Sequence, residues 1–194
     1  MEIILYSLFT YLIGSIPFGL IVGKIFGKDV RKEGSGNIGA TNVTRVLGRK
    51  AGLLVLLLDA AKGFLPIYYL ISKGYPSKVV SIVSIFAVLG HTFSIFLKFK
   101  GGKGVATALG VLFALNLKVS IIILMFWVGI FLATGYVSLA SILSASISWV
   151  VLHVLSGDIY YTYASFLIAL VIIFKHKSNI ERLLEGKEHR FIHK

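Results

Sequence analysis

Apolar residues occur along this chain in seven long runs, separated by short segments rich in charge, glycine or proline. A run of roughly 20 apolar residues can cross about 30 Å of hydrocarbon as an α-helix. The pattern predicts an all-α polytopic membrane protein with seven transmembrane helices, in which residues 1–194 form a single membrane domain. The predicted spans are 3–26, 51–71, 79–97, 105–117, 119–136, 137–155 and 159–174.

Two of these runs depart from a regular span. The first contains Gly14, Pro17 and Gly19, so we expect a kink or a close helix approach there. The fourth, 105–117, would reach only about 20 Å as a helix. Either its first turn includes the Gly-rich turn 98–104, or that turn dips into the membrane where protein lines it.

Composition supports the membrane class. Of the 194 residues, 57% are hydrophobic and 14% are charged, and the mean hydropathy is +0.89.

The net charge of +12 does not indicate nucleic acid, because the basic residues lie in short loops between apolar runs. The chain has no cysteine, which excludes disulfides and thiol catalysis. The first run lacks a basic leader and a convincing cleavage site, so we expect a retained span.

The distribution of Lys and Arg predicts the orientation, since cytoplasmic loops are enriched in both. One side carries only Lys73, Lys78 and Lys118. The N-terminus is therefore expected outside and the C-terminus in the cytoplasm. The cytoplasmic side would hold Lys24, Lys28, Arg31, Lys32, Arg45, Arg49, Lys50, Lys98, Lys100, Lys103, Lys175, Lys177, Arg182, Lys187, Arg190 and Lys194.

The polar segments on the cytoplasmic side, 27–50, 98–104, 135–141 and 175–194, are the predicted active-site loops. The stretch 34–45 stands out because its glycines permit turns whose N–H groups can bind an anion. Uncharged hydrogen-bonding side chains and the guanidinium of Arg45 favour the same ligand. We interpret 34–45 as a phosphate cradle.

Two nucleotide-binding patterns are rejected. Residues 34–39 spell G-x-G-x-x-G, but neither a strand nor a βαβ unit accompanies them. Lys103 follows two glycines as in a P-loop, but the spacing of that motif is missing. Neither nucleotide nor magnesium is predicted, although a basic turn leading into a helix N-terminus can attract phosphate.

His153 and Asp158 have the H-x-x-x-x-D spacing of a large class of membrane acyltransferases, in which histidine is the general base. The predicted topology places this pair at the outer end of the sixth span, opposite every basic loop. We interpret the two residues as loop residues without a catalytic role.

Three ionisable residues fall inside predicted spans. Asp59 and Lys62 lie three positions apart on one helical face, and a structural ion pair is favoured over a chemical role. His91 is interpreted as an interhelical histidine near the turn 98–104, with a ligand or base as the alternative. The histidines and acids show no metal-binding spacing, so we predict neither metal nor cofactor.

His176 is the preferred catalytic histidine because it lies where the last span leaves the membrane. On a helical turn His176 and Asn179 would present their polar groups at the same place. The alternative is a solvated tail.

Together, three ordered motifs resemble those of the bacterial acyl-phosphate-dependent glycerol-3-phosphate acyltransferase family. They are the stretch 35–45, the turn 99–107, and the tail motif His176-x-x-Asn179-Ile180-x-Arg182-Leu183-x-x-Gly186-x-Glu188. The resemblance implies a seven-span enzyme of the cell inner membrane with a cytoplasmic site. Its reaction would transfer an acyl group from acyl phosphate to the 1-hydroxyl of glycerol 3-phosphate, giving lysophosphatidic acid and inorganic phosphate in the first acylation of phospholipid synthesis.

The resemblance also implies roles for individual residues. The donor phosphate would be held by Ser35, Gly36, Asn37, Gly39, Thr41 and Asn42. Glycerol 3-phosphate and the developing charge would be held by Arg45, Lys103, Ser141, His176 and Asn179. Gly101 and Gly102 would let the backbone approach, and Glu188 would anchor the tail. Ser35, Arg45, Lys103, His176 and Asn179 are the expected catalytic set.

The expected partners are the two substrates and the bilayer, with no nucleic acid or nucleotide, and the expected state is a monomer. A small transporter or channel for a phosphate compound is the alternative, based on Asp59, Lys62 and a re-entrant fourth span. Against it, the polar groups gather on one face rather than at the midplane. A structural membrane subunit would leave the stretch 34–45 unexplained.

Overall fold

A computed structural model describes residues 1–191 of the protein. Lys194 and the end of the predicted segment 175–194 lie outside the described residues. Within 1–191 the chain is all-helical, apart from turns and loops. The helices are α1 (Glu2–Ser15), α2 (Phe18–Ile25), α3 (Ala40–Leu47), α4 (Arg49–Ser72), α5 (Ser77–Thr92), α6 (Val105–Leu115), α7 (Leu117–Thr134), α8 (Val137–Ser156), α9 (Ile159–Lys175) and α10 (Lys177–Leu184), with a 3₁₀ turn at Ile95–Leu97 after α5.

The prediction of an all-α integral membrane protein is confirmed. Among the described residues, five helical segments are long and apolar enough to cross a membrane. A sixth candidate is α9 together with α10, which are bent by 59° relative to each other. The fourth predicted span is the apolar helix α6, whose 11 residues make it shorter than predicted. The five are Glu2–Ile25, Arg49–Ser72, Ser77–Leu97, Leu117–Thr134 and Val137–Ser156.

The first span is broken at Pro17, as the sequence predicts. Proline lacks an N–H and cannot continue the hydrogen-bond ladder, so α1 ends at Ser15 and α2 begins at Phe18. Side chains from elsewhere in the chain satisfy the carbonyls at the break. Ser94 Oγ donates to Ser15 O at 2.6 Å, and Lys62 Nζ donates to Ile16 O at 2.8 Å.

The segment 27–50, predicted as a loop, contains a helix. α3 is amphipathic, and Val43 on its apolar side is fully buried against Val30 and Val55. A two-turn helix between glycines gives too short a periodic signal for sequence reasoning to separate it from a polar loop. Likewise, the segment 135–141 is already helical from Val137, and the tail contains α10.

The core lies around α5, which is the most enclosed of the candidate spans. In an 18-residue apolar window of Ser77–Leu97, 56% of the residues are buried within the protein, compared with 17% for Leu117–Thr134, which therefore lies at the periphery. α5 packs against α1, α9, α4 and α6. Val83 and Val88 of α5 pack with Ile67 of α4 and Val111 of α6, so the central helix holds together the elements that bound the site.

Asp59 and Lys62 form the ion pair that their spacing predicts. Asp59 Oδ1 lies 2.7 Å from Lys62 Nζ, and both side chains are 2% exposed. His91 Nδ1 of α5 lies 3.6 Å from the same carboxylate oxygen. Within the membrane-spanning part, the charges are therefore compensated rather than exposed to lipid.

Candidate active site

The predicted polar segments meet at one end of the helical bundle. The tail after α9 is the common partner, since side chains of the three other segments contact it. These contacts are a hydrogen bond from Lys103 Nζ to Asn179 Oδ1 at 2.5 Å, a hydrogen bond from Ser138 Oγ to Glu188 Oε1 at 2.8 Å, and the Arg45 guanidinium 6.0 Å from the centre of the Phe191 ring.

Asn42 organises the loop before α3. Its Oδ1 accepts from Ser35 N at 2.7 Å, and its Nδ2 donates to Val30 O at 2.8 Å and to Asn37 O at 2.8 Å. The residue is 1% exposed, so its amide group is used within the protein. Because these bonds cross-link the loop, they give Ser35 and Asn37 a defined position at the cavity wall.

The N-terminus of α3 faces the site. Asn37 Oδ1 accepts from Gly39 N at 2.8 Å, which sets the chain direction as it enters the helix. Gly39, Ala40 and Thr41 all line the cavity. The first N–H groups of a helix lack intrahelical partners and carry a partial positive charge, so this end of α3 suits an anion. Arg45, one turn further along α3, also lines the cavity.

Lys103 is a half-buried cation that borders the cavity. Burial lowers its pKa to about 8, and the positive charges of Arg182 and Arg45 act in the same direction, while Glu188 opposes them. Lys103 is consequently protonated at neutral pH but close to titrating. Its ammonium group has three donors, and the bond to Asn179 uses one of them.

His176 lies at the junction of α9 and α10 and is 2% exposed. Burial lowers its pKa to about 4, with the charge of Lys103 adding to the effect, so the imidazole is neutral at pH 7. Its Nδ1 lies 2.7 Å from Ile172 O; since a carbonyl can only accept, Nδ1 carries the proton. Nε2 is then an acceptor, available to a hydroxyl in the cavity but only weakly basic.

Glu188 ties the tail to the rest of the site. Its carboxylate accepts hydrogen bonds from Ser138 Oγ, from Asn179 Nδ2 at 2.7 Å and from Arg182 Nε at 2.7 Å. Burial alone would raise the pKa of Glu188, but these donors outweigh it and hold the pKa below its usual value. The carboxylate is therefore ionised and joins α8, α10 and the tail.

Ser141 reaches the cavity from α8 beside a tryptophan. Trp127 Nε1 of α7 donates to Ser141 Oγ at 3.1 Å, and Ser141 Oγ donates to Val137 O at 2.7 Å. One hydrogen-bond acceptor position of the hydroxyl remains beyond these two bonds. Ser141 therefore lies at the boundary between the polar end of the cavity and its aromatic wall.

These residues surround one cavity of about 830 Å³. Its polar end is formed by the loop before α3, Lys103 and α10. The remainder extends between α6, α7, α8 and α9 and is lined by Leu112, Leu115, Ile123 and Ile168. A volume of this size is within the range for small-molecule sites, and its two-part lining suits a ligand with a charged head and an apolar chain.

Most of the predicted site residues line this cavity. Those in its lining are Ser35, Asn37, Gly39, Thr41, Asn42, Arg45, Lys103, Ser141, His176, Asn179 and Glu188. The cavity wall does not include Gly36, Gly101 or Gly102. Gly36 instead has φ +71° in the turn that precedes Asn37.

Gly101 and Gly102 allow a close backbone approach, but to α5 rather than to the cavity. Gly102 N donates to His91 O at 3.0 Å, and Gly101 N donates to Thr92 O at 3.2 Å. A Cβ at Gly102 would collide with His91 Nε2, and one at Gly101 would collide with His91 O. The two glycines therefore fasten the turn that carries Lys103.

Several cavity residues were not predicted. Trp127 and Phe131 lie in an apolar run in which nothing distinguishes them from lipid-facing aromatics. Arg49 and Arg182 were counted with the basic loops, and Phe191 follows the last motif residue. The tail motif could have indicated Arg182, whereas the other positions depend on helix packing. The unpredicted lining residues include Arg49, Trp127, Phe131, Ser178, Arg182, His189 and Phe191.

His153 and Asp158 each form hydrogen bonds with other groups. Asp158 Oδ1 accepts from Tyr160 N at 2.9 Å and from Tyr161 N at 3.0 Å, which caps α9. His153 Nδ1 lies 3.3 Å from Thr162 Oγ1. Within residues 1–191, no group of three His, Asp or Glu side chains comes together in a way that could hold a metal ion.

Comparison with known proteins identifies the family. The family model described as glycerol-3-phosphate acyltransferase matches residues 4–186. A glycerol-3-phosphate acyltransferase of Aquifex aeolicus (strain VF5) is 46% identical over 192 residues, which cover 98% of this chain and 100% of that protein.

Two solved structures have the same fold. Both are crystal structures of PlsY (YgiH), an integral membrane glycerol 3-phosphate acyltransferase, and both are 44% identical to this chain. The glycerol 3-phosphate form has a TM-score of 0.95 and covers 99% of this chain and 96% of that chain. The lysophosphatidic acid form has a TM-score of 0.93 and covers 98% and 95%.

Fold and comparisons together define the protein as an integral membrane acyltransferase. The chain belongs to the glycerol-3-phosphate acyltransferase family. The family predicted from the three motifs is thereby confirmed, and the enzyme prediction is confirmed over the transporter alternative.

Proposed function

We propose that the enzyme transfers a fatty acyl group from an acyl phosphate to the 1-hydroxyl of glycerol 3-phosphate. The hydroxyl oxygen forms an ester bond with the acyl carbon, the bond from that carbon to the phosphate oxygen breaks, and inorganic phosphate leaves. Lysophosphatidic acid is the other product. The main observation that supports this proposal is the cavity, which has cations at one end and an apolar channel at the other.

The donor phosphate is assigned to the loop before α3. Ser35, Gly36, Asn37, Gly39, Thr41 and Asn42 form this half in the proposal. Within it, Ser35 and Thr41 contact the phosphate, the N-terminus of α3 supplies N–H groups, and Asn42 and Gly36 shape the loop. The acyl chain then lies in the apolar part of the cavity between α6 and α9.

Glycerol 3-phosphate is assigned to Arg45, Lys103, Ser141, His176 and Asn179. Arg45 and Lys103 supply positive charge, which binds the acceptor phosphate and stabilises the charge that develops at the acyl carbonyl. His176 Nε2 accepts a hydrogen bond from the 2-hydroxyl of glycerol 3-phosphate, so the proton of the attacking 1-hydroxyl stays available to a phosphate oxygen. Asn179 orients Lys103 through their hydrogen bond, and Glu188 holds Asn179 and the tail.

The hydroxyl proton is assigned to a phosphate oxygen of the substrates. The pKa of His176, lowered to about 4 by burial, makes the imidazole a poor base at neutral pH. A phosphate monoester has a second pKa of about 6 and is the stronger base. Because an acyl phosphate is already activated, positioning and charge neutralisation supply most of the acceleration.

The topology in the proposal has seven spans within a single domain of residues 1–194. It adds α6 and α9 to the five long spans, and α10 follows the last span. The N-terminus is outside and the C-terminus is cytoplasmic, since the loops around the cavity carry most Lys and Arg residues. The enzyme then functions as a monomer in the cell inner membrane, with its site on the cytoplasmic side.

Phosphate release by the purified protein tests the proposal. Acyl phosphate and glycerol 3-phosphate together should release inorganic phosphate and form lysophosphatidic acid, and omission of either should abolish both. Acyl-CoA in place of acyl phosphate serves as the matched donor control. Activity with acyl-CoA but none with acyl phosphate would overturn the donor assignment.

A further inference from the structure

Three buried ionisable side chains have no role in the proposed chemistry. They are Asp59 and Lys62 of α4 and His91 of α5, and each is at most 4% exposed. Asp59 Oδ1 is paired with Lys62 Nζ at 2.7 Å and lies 3.6 Å from His91 Nδ1. The second distance is an electrostatic contact rather than a hydrogen bond. Such a cluster is costly inside a membrane, so its retention calls for a function.

One end of this cluster is attached to the broken first span. Lys62 Nζ donates to Ile16 O, a carbonyl that the break at Pro17 removes from the helical ladder. Lys62 is therefore ion-paired with Asp59 and hydrogen-bonded to a backbone atom between α1 and α2. Directional bonds of this kind set the relative position of α1 and α4, whereas apolar contacts alone would let the helices slide.

The other end of the cluster is attached to the turn that carries Lys103. The His91 imidazole lies against Gly102 so closely that a Cβ there would collide with Nε2. The backbone of His91 also accepts from Gly102 N. Ring and backbone of the same residue therefore both constrain the residue that immediately precedes Lys103.

The position of this turn determines where the Lys103 ammonium can lie. From its backbone position, Lys103 crosses the polar end of the cavity to Asn179. A displacement of about 1 Å between reacting or binding groups can cost 100-fold in rate. Asp59 and His91 also line this cavity, so the cluster lies beside the site.

We propose that Asp59, Lys62 and His91 are positioning residues, which hold the turn 101–104 so that the Lys103 ammonium meets the phosphate of glycerol 3-phosphate. This inference rests on the proposed function, in which Lys103 binds the acceptor. The cluster acts through Lys103 rather than by binding a substrate phosphate itself. Its loss should therefore affect glycerol 3-phosphate more than the acyl donor.

Substitution of His91 provides the first test. His91→Leu fills a similar volume but removes the contact with Asp59, while His91→Gln retains a polar group. The dissociation constant of glycerol 3-phosphate, measured by calorimetry, should rise about tenfold for His91→Leu and less for His91→Gln. The KM for acyl phosphate should stay within about twofold. His153→Leu, at a histidine remote from the site, is the matched control and should match the wild type.

Two outcomes would overturn the proposal. One is unchanged glycerol 3-phosphate binding in a folded His91→Leu protein. The other is an equal rise in the KM values of both substrates, which indicates general loss of structure. Melting temperatures of the same variants, measured in parallel, distinguish a loss of folding from a loss of positioning. Calorimetry needs no acyl donor, so it tests the positioning even if the wild type fails to use acyl phosphate, which would contradict the proposed function alone.

A double substitution tests the same link where His91→Leu does not fold. The Cβ of Gly102→Ala meets the imidazole of His91, whereas that of Gly101→Ala meets a backbone carbonyl. Gly102→Ala alone should weaken glycerol 3-phosphate binding, and adding His91→Ala should restore part of it because the ring is gone. Gly101→Ala should gain nothing from His91→Ala. The proposal would be contradicted if the changes in the free energy of glycerol 3-phosphate binding were strictly additive both for Gly102→Ala with His91→Ala and for Gly101→Ala with His91→Ala.

Discussion

Lys103 and Asn179 are joined by a hydrogen bond of 2.5 Å although 76 positions separate them in the chain. The bond connects the Gly-rich turn before α6 to the helix that follows the last span. Asn179 Nδ2 donates in turn to Glu188, so cation, amide and carboxylate form a continuous series. One side of the cavity is therefore a single hydrogen-bonded wall rather than a set of independent loops.

The alkaline pH dependence of the reaction should report on Lys103. Because burial lowers its pKa to about 8, Lys103 is charged below pH 8 and loses its proton above it. The value of kcat/KM for glycerol 3-phosphate should therefore fall as pH rises through about 8. Phosphate release measured between about pH 6 and pH 10 checks this.

Arginine at position 103 should remove that dependence. Arg stays charged throughout this range, so Lys103→Arg should lose the alkaline fall even if its activity is lower. Lys100→Arg, at an exposed lysine of the same turn, should keep the wild-type profile. If kcat/KM of Lys103→Arg fell at alkaline pH as it does in the wild type, the titrating group would be another residue.

Arg45→Ala should lose activity with little loss of folding. Arg45 is exposed at the cavity mouth, so its removal leaves the core intact. Removing one group that stabilises developing charge costs about 100-fold or more in turnover. Lys50→Ala, which removes an exposed cation from the start of α4, is the control and should remain active. An Arg45→Ala protein that unfolds in detergent would make the residue structural.

His176→Ala should weaken glycerol 3-phosphate binding more than it slows turnover at saturation. The reason is that Nε2 accepts a hydrogen bond in the proposal, while a phosphate oxygen accepts the proton. We expect a rise of about tenfold in KM, in line with one lost hydrogen bond of about 1.4 kcal/mol. Steady-state kinetics with both substrates provide the measurement. Abolished turnover with intact glycerol 3-phosphate affinity would instead make His176 the base.

Glu188→Gln should loosen the tail and lower both stability and activity. Hydrogen bonds to a charged group contribute about 1.5 to 3 kcal/mol, and Arg182 loses its ion-pair partner. Glu185→Gln is the matched control, since Glu185 is exposed and pairs with the neighbouring Lys187. Thermal unfolding in detergent and phosphate release check both effects. Equal behaviour of the two variants would show that the carboxylate of Glu188 does not hold the tail.

The stability of the protein at acid pH should also depend on the Glu188 carboxylate. The folded-state pKa of Glu188 lies below its ordinary value of about 4.3, so its stabilising effect is complete above that value. The effect is lost as pH falls toward the folded-state pKa. Wild-type protein should therefore lose stability relative to Glu188→Gln below about pH 4. A constant difference between the two proteins down to pH 3 would contradict this assignment.

The segments that form the site could be predicted from sequence because each interrupts an apolar run. Glycine, asparagine and lysine at those interruptions are not explained by membrane burial, so 34–45, 98–104 and 176–188 were recognisable as functional. The ion pair of Asp59 and Lys62 was predictable for the same reason, since a helix brings positions three apart together.

What the sequence could not indicate was the direction in which equivalent residues face. Asn37 and Asn42 look alike in the motif and both border the cavity, yet Asn42 is 1% exposed and uses its amide group for hydrogen bonds inside the loop. Gly101 and Gly102 were expected to let the backbone approach, and only the packed structure shows that they lie against His91. α3 was not predicted because two helical turns bounded by glycines resemble a loop in sequence.

The distance along the chain from Ser35 to Glu188 has a consequence for biosynthesis. A ribosome delivers this polypeptide from its N-terminus, and the anchoring carboxylate arrives after every span has been made. Until then Asn179 has no acceptor for its amide, and the cavity lacks its last wall. Nascent and truncated chains should therefore be inserted but inert, so acylation begins only with a finished molecule.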